Sequence, residues 1–286
     1  MTNPQAKTIQ IFLPNGEPHG IRIAEWTTRI VQAVLIPRSE LAVAKARPEL
    51  DQVAVYLLFG ESEDAAKPIV YIGQTEDVRK RLDYHNSTKD FWKTAILGVS
   101  KTHSFTQAHI RYLEWYCIQK AREFGRFSLN NDQTPSKLFV PEPMEADLLD
   151  SFETLSTVVS TLGLPVFEPI VKHDAAEQFF LKGKDAEATG ELVEDGFVIR
   201  AGAIARLEVV PSAVETVEPM RKKLIESGVV VEEGGRFRFT QDYLFNTPSG
   251  AAAAVLGRSS NGWVDWKTKD GKTLHEVKRS ESVGTS

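Results

Sequence analysis

Arg81 and His85 lie four residues apart in a stretch that reads as a helix, so they share one face and can reach a common target. A planar, always-charged guanidinium with an imidazole beside it suits a phosphate, whose oxygens it can bind in pairs. Glu114 is the third reactive group. It falls in a helical stretch, about Thr106 to Phe124, among Ile110, Leu113, Cys117 and Ile118. A carboxylate in apolar surroundings is costly unless compensated. A divalent cation is one compensator, since a hard ion such as Mg²⁺ commonly takes only one or two protein carboxylates plus waters and phosphate oxygens. A salt bridge to Arg81 or Arg111 is the other. Further on, Phe127-Ser-Leu-Asn-Asn131 offers two amides that a strand could bring back toward the same place.

The elements that must position these groups are legible in outline. Val53-Ala-Val-Tyr-Leu-Leu-Phe59 and Ile69-Val-Tyr-Ile72 are short runs of β-branched and aromatic residues, as expected of strands. The polar segment between them, Gly60 to Pro68, predicts a hairpin loop and antiparallel pairing. Gly73 releases the chain into a helix that Thr75 can cap, with Glu76 and Asp77 in its first turn and Val78 and Leu82 toward the sheet.

Taken together, Tyr56 in the first run, Tyr71 in Tyr71-Ile-Gly73, Arg81, His85, Glu114 and an amide at Asn130 or Asn131 resemble the GIY-YIG nuclease family in order and spacing. The resemblance covers about residues 50–132. The first motif reads Ala54-Val55-Tyr56 where the family usually has Gly-Ile-Tyr or Gly-Val-Tyr. What the resemblance implies is phosphodiester hydrolysis with one metal ion, Mg²⁺ with Mn²⁺ as a possible substitute. It implies that Glu114 holds the metal and Arg81 neutralises growing charge. It further implies that Tyr56 accepts or orients the proton of the attacking water beside Tyr71, that His85 bonds the phosphate or Tyr56, and that Asn130, or its neighbour Asn131, fixes the geometry. Singly, each residue has a plainer role: a strand tyrosine, a solvated arginine within Arg79-Lys80-Arg81, a histidine favoured at a helix C-terminus. Their joint occurrence in one order is what points to a site.

The chain has 286 residues, a net charge of −5 and a pI near 5.8, which argues against a broadly basic nucleic-acid binder. The charge is uneven. Tyr71 to Arg126 carries ten Lys or Arg against six Asp or Glu, whereas the remainder carries 24 against 33. The excess, including Arg79 and Lys80, falls where a phosphate backbone would lie. Cys117 is the only cysteine, so intramolecular disulfides are excluded, a reducing compartment is expected, and a packed thiol is the natural role. No apolar run has the length of a membrane span and the N-terminus has no signal-peptide core, so the expectation is a cytoplasmic protein without a membrane partner.

The flanking regions complete an expected α+β architecture: a small antiparallel or mixed sheet flanked by helices, plus a second small α+β domain. Residues 1–50 read as a hairpin around Pro14-Asn-Gly-Glu-Pro-His19 followed by helices over Trp26–Val34 and Ser39–Ala46, a subdomain packed on the nuclease-like domain at 51–135. Residues 136–178 read as linker and packing helix, with Leu148, Phe152, Leu155, Val159 and Leu162 at helical spacing and a polar linker at 169–178. Residues 179–280 read as strands from Gly190 to Ile199, a helix over Met220–Glu226, a hairpin across Arg236-Phe-Arg-Phe239 and a capped helix at Thr247–Gly257. This last stretch resembles a domain of unknown function that often follows GIY-YIG domains, itself similar to modules appended to adenine methylases in restriction systems. The resemblance hints at DNA recognition. Trp263 and Trp266 could stack on bases or pack as a lid, and Arg236, Arg238, Arg258, Lys267 and Lys272 could meet phosphates. The sequence therefore points to a metal-dependent DNA endonuclease, in restriction or another defence, with RNA left open as a substrate. A repair or mobile-element nuclease, and a catalytically silent binding protein of the same fold, are the alternatives.

Overall fold

The computed structural model describes residues 6–61, 67–170 and 177–283, and the chain divides into two compact units, Met1–Glu168 and Pro169–Ser286. Each unit holds a seven-stranded sheet with helices, the expected α+β class. In the first unit the elements run β1 (Ile9–Phe12), β2 (Arg22–Trp26), β3 (Val31–Pro37), α1 (Leu41–Ala44), β4 (Ala54–Gly60), β5 (Ile69–Thr75), α2 (Val78–Thr88), β6 (Trp92–Ser100), α3 (Gln107–Phe124), β7 (Ser128–Leu129) and α4 (Glu142–Thr161). The sheet order is β1-β2-β3-β6-β4-β5-β7, antiparallel except where β7 joins β5 in parallel.

β4 is the strand on which the site depends. Successive side chains of a strand point to opposite faces. Val55, Leu57 and Phe59 accordingly enter one core with Ile110, Leu113, Cys117 and Ile118 of α3 and Leu155 and Val159 of α4. Ala54, Tyr56 and Leu58 enter the other with Val78 and Leu82 of α2. Covering both faces buries the whole apolar run. Cys117 is fully buried, the packed thiol expected.

Three expectations are corrected here. Trp26–Val34 is not a helix but the end of β2, a turn and the start of β3, whose Val31, Ala33 and Leu35 face one core while Val34 and Ile36 face the other. A strand buried on both sides loses its alternation and cannot be told from a helix by periodicity. For the same reason residues 1–50 do not form a separate subdomain packed on the sheet: β3 pairs with β6 from Val31↔Ser100 to Pro37↔Thr94, extending one continuous sheet. And α2 is capped by Asp77, which accepts from the Lys80 amide, while Thr75 braces Asp77 instead. The loop between β4 and β5 and the linker at 169–178 fall largely on residues 62–66 and 171–176, outside the described residues.

The second unit runs β8 (Gln178–Gly183), β9 (Ala186–Val193), β10 (Gly196–Ile199), β11 (Ile204–Ala205), α5 (Val214–Glu226), β12 (Val230–Glu233), β13 (Arg236–Phe239), β14 (Tyr243–Phe245), α6 (Pro248–Leu256), α7 (Gly262–Asp265) and α8 (Leu274–Val283). Its sheet order is β12-β13-β11-β9-β10-β14, with β8 on β9. The alanine run of α6 is almost wholly buried, small side chains allowing close approach to the sheet. Thr247 caps its start and Gly257, at φ 65°, ends it. The buried Arg221 guanidinium donates to the carbonyls of Ala254 and Leu207 at 2.7–3.1 Å, satisfying backbone acceptors that the end of a helix leaves open. Burial lowers its pKa to about 10.

The two tryptophans part company. Trp266 is fully buried, its ring 4.4 Å from that of Phe197 and its indole N–H donating to the Pro248 carbonyl at 3.0 Å, whereas Trp263 is 40% exposed. Trp266→Ala is expected to lower the unit's stability by about 3–5 kcal/mol in urea unfolding followed by circular dichroism. A loss within about 0.5 kcal/mol, the size seen at exposed positions, would refute the core assignment.

Candidate functional site

Tyr56 sits mid-strand on β4, 1% exposed, opposite Gly73 of β5. The pairing explains the glycine: a Cβ there would overlap the Tyr56 phenol oxygen far inside van der Waals contact. Tyr71 lies on the same face, two residues before Gly73, with its ring centroid 6.1 Å from that of Tyr56. From α2, His85 closes the group. Its Nε2 lies 2.7 Å from the Tyr56 hydroxyl and its ring 5.1 Å from Tyr71, with only 2% of the residue exposed.

The protonation states follow from burial. Burial, with the Tyr71 phenol beside it, pushes the Tyr56 phenol well above its ordinary value. Burial and the cations of Arg81 and Lys89 bring His85 down to about 4. At neutral pH a neutral phenol and a neutral imidazole therefore share one hydrogen bond. The other ring nitrogen, Nδ1, is a buried atom with no partner among the described residues.

Glu114 reaches the same group from α3, which packs on the other face of the sheet. It is half-buried and lies near the Gln74 backbone just past Gly73. Burial raises its pKa, while the Gln74 backbone dipole and the charges of Arg81 and Arg111 act in the opposite direction. Arg81 and Glu114 both act electrostatically on Tyr56, so the carboxylate, the guanidinium and the phenol converge.

Among the described residues neither Arg81 nor Arg111 closes an ion pair with Glu114. In Arg79-Lys80-Arg81 the first two cations are spoken for. Arg79 pairs with Asp51 and donates to the Lys45 and Arg47 carbonyls; Lys80 pairs with Asp77 at 2.9 Å. The Arg81 guanidinium alone has no partner among the described residues.

The two amides have different tasks. Asn131 accepts from the Ile72 N–H at 3.0 Å and donates to the Ile72 carbonyl at 2.7 Å, completing the edge of β5 where β7 has ended. Asn130 instead accepts from Lys89 Nζ at 3.1 Å, and that ammonium lies 4.4 Å over the Tyr71 ring. Lys89 went unnoticed in the sequence; its place four residues past His85 was the available signal.

The remaining candidates, Arg258, Trp263 and Lys267, belong to the second unit. Arg258 lies 3.6 Å from Asp265 and donates to the Ser259 carbonyl, and Lys267 joins Phe180 by backbone bonds. Both line a groove of about 840 Å³ bordered by β8. Arg236 and Arg238 pair with Asp185 and Glu233.

No group of three or more His, Cys, Asp or Glu suited to a metal forms among the described residues. A protein-only cage is thus not what this site provides. A half-buried carboxylate held partly toward its protonated form does fit a hard cation that keeps most of its waters.

Residues 179–278 match the family described as Domain of unknown function (DUF4357). The match covers about a third of the chain and none of the tyrosine-histidine site, so the likeness of residues 50–132 to GIY-YIG nucleases rests on the residues themselves. No curated protein and no solved structure matches the chain. Among the described residues no helix is long and apolar enough to cross a membrane.

Two outcomes are expected. Gly73→Ala should displace Tyr56 and abolish its bond to His85, seen as a shift of the His85 ring resonances with the fold retained; unchanged resonances would show that the glycine is dispensable. His85, whose folded pKa is depressed, contributes stability fully present above pH 6.5 and lost as pH falls toward 4, because the unfolded chain binds the extra proton in that window. An NMR titration midpoint near 6.5 would contradict this.

Proposed function

We propose that the first unit is a metal-dependent endonuclease of the GIY-YIG type that hydrolyses DNA phosphodiester bonds, with restriction of foreign DNA as its setting. The observation that carries the reading is the 2.7 Å contact between Tyr56 and a neutral His85, beside an Arg81 without an ion-pair partner. A free phenol titrates near pH ~10 and is a poor base at neutrality. A neutral imidazole in direct contact gives the phenol's proton somewhere to go once a negative phosphate at Arg81 offsets the cations that hold His85 low: as Tyr56 takes a proton from the attacking water, its own proton passes to His85 Nε2. No free phenolate need form. Arg81 can then meet the charge that grows on the phosphate oxygens, worth more in a partly dry site than in water. Glu114 is the residue that would hold Mg²⁺, or Mn²⁺ in its place. Bound there, the cation would supply charge neutralisation at the phosphate.

A second reading is favoured by one observation. The strongly raised pKa of Tyr56 suits a site that no longer deprotonates anything, as in a nucleic-acid-binding protein of the same fold. The Ala54 departure does not favour it, because the Ala54 methyl packs into the α2-side core.

Purified full-length protein with supercoiled plasmid and single-stranded DNA, in Mg²⁺, Mn²⁺ or chelator, separates the two. Metal-dependent cutting that falls by about 10²–10³ in Glu114→Ala and Arg81→Ala is expected. DNA binding without cutting, on methylated and unmethylated substrates alike, would establish the binding protein.

A further inference from the structure

Lys89 is the C-cap residue of α2, one turn past His85, and its amide still bonds the His85 carbonyl at 3.0 Å. Its ammonium is held from two sides: Asn130 Oδ1 at 3.1 Å and the face of the Tyr71 ring at 4.4 Å. An ammonium carries three donors, so this clamp leaves donor capacity over. Elsewhere in the same unit Lys45, Lys80, Lys93, Lys101 and Lys120 each have a carboxylate partner. Lys89 has none among the described residues, although it is fixed in place and only partly exposed.

Two cations without a carboxylate partner thus bracket His85, Arg81 one turn before it and Lys89 one turn after. Eight residues of helix place their Cα atoms about 12 Å apart. One phosphate group needs no such span, whereas a strand rising ~3.4 Å per nucleotide covers it in about three to four nucleotides. Asn130 and Tyr71 fix the ammonium before any ligand arrives, so little ordering is left for binding to supply.

We infer that Lys89, clamped by Asn130 and Tyr71, binds a phosphate of the nucleic-acid strand some nucleotides away from the one at Arg81, and so sets the strand's register across the Tyr56–His85 couple. The inference rests on the nuclease reading and adds to it a strand-positioning residue that does not touch the reacting atoms.

The test uses full-length protein and a labelled DNA duplex and single strand, with binding followed by fluorescence anisotropy in chelator across a salt series. Lys89→Met keeps the stem over Tyr71 and removes the charge; it is expected to lower the slope of log affinity against log salt by about one, and Lys89→Arg to restore it. Lys89→Met also removes the bond to Asn130, so a small fall in melting temperature is expected; the salt slope, which a merely structural lysine would not move, is the deciding readout. With metal present, Lys89→Met should raise KM more than it lowers kcat, since a contact made equally in ground and transition states acts on KM. A wild-type salt slope in Lys89→Met, in protein that binds and cuts DNA, would overturn this inference alone. Wild-type protein that neither binds nor cuts DNA would overturn the nuclease reading and this inference with it.

Discussion

The buried hydrogen bond between Tyr56 and His85 is the constraint around which the first unit is arranged. A phenol and an imidazole are both costly to bury without partners, and here each is the other's partner. That requires β4 and α2 to stay in fixed register. Val78 and Leu82 pack α2 onto the face that carries Ala54, Tyr56 and Leu58. Gly73 leaves the room that the Tyr56 ring occupies. Trp92 then locks the end of the helix by donating from its indole to the His85 carbonyl at 3.3 Å.

The outer edge of β5 shows how the same constraint extends to the other face of the sheet. β7 satisfies that edge only at Ile69 and Val70. The next backbone groups, those of Ile72, are taken by the Asn131 amide. Two different chemical groups thus extend the work of one neighbouring strand along this edge. In doing so they tie the 128–131 segment to the strand that bears Tyr71.

Charge distribution separates what is held from what is available. Arg79 and Lys80 are consumed in fastening α2, and Arg38 donates to Asn86 and to the carbonyls of Asn86, Lys89, Asp90 and Trp92 around its far end. Exposed pairs such as those of Arg79 and Lys80 add little stability each, but they neutralise charge, whereas Arg38 bonds neutral groups and keeps its charge. Arg81 and Lys89 are likewise left without a carboxylate among the described residues, on either side of a neutral couple. This local excess matters more to an incoming anion than the acidic total of the chain, because screening confines such fields to about 10 Å.

The sequence by itself determined most of the elements and put Tyr56, Tyr71, Arg81, His85 and Glu114 forward as residues that could meet. That meeting was legible from type and spacing, since a four-residue step on a helix and a two-residue step on a strand are fixed by backbone geometry alone. β3 and β6 were not legible: strands buried on both faces carry no alternation, and β6, at the centre of the sheet between β3 and β4, has a glycine and a serine where a strand signal would be sought. Nor could the sequence say which asparagine braces β5, which of three consecutive cations is left without a partner, or that Trp266 is core while Trp263 is not. Those are facts about partners brought together from distant positions, as Ile72 and Asn131 are, and a linear pattern does not encode which carbonyl, carboxylate or ring will be waiting. Only the packing of α2, α3 and the β5 edge around one buried phenol decided them, because satisfying buried polar groups is a property of the whole arrangement and not of any segment.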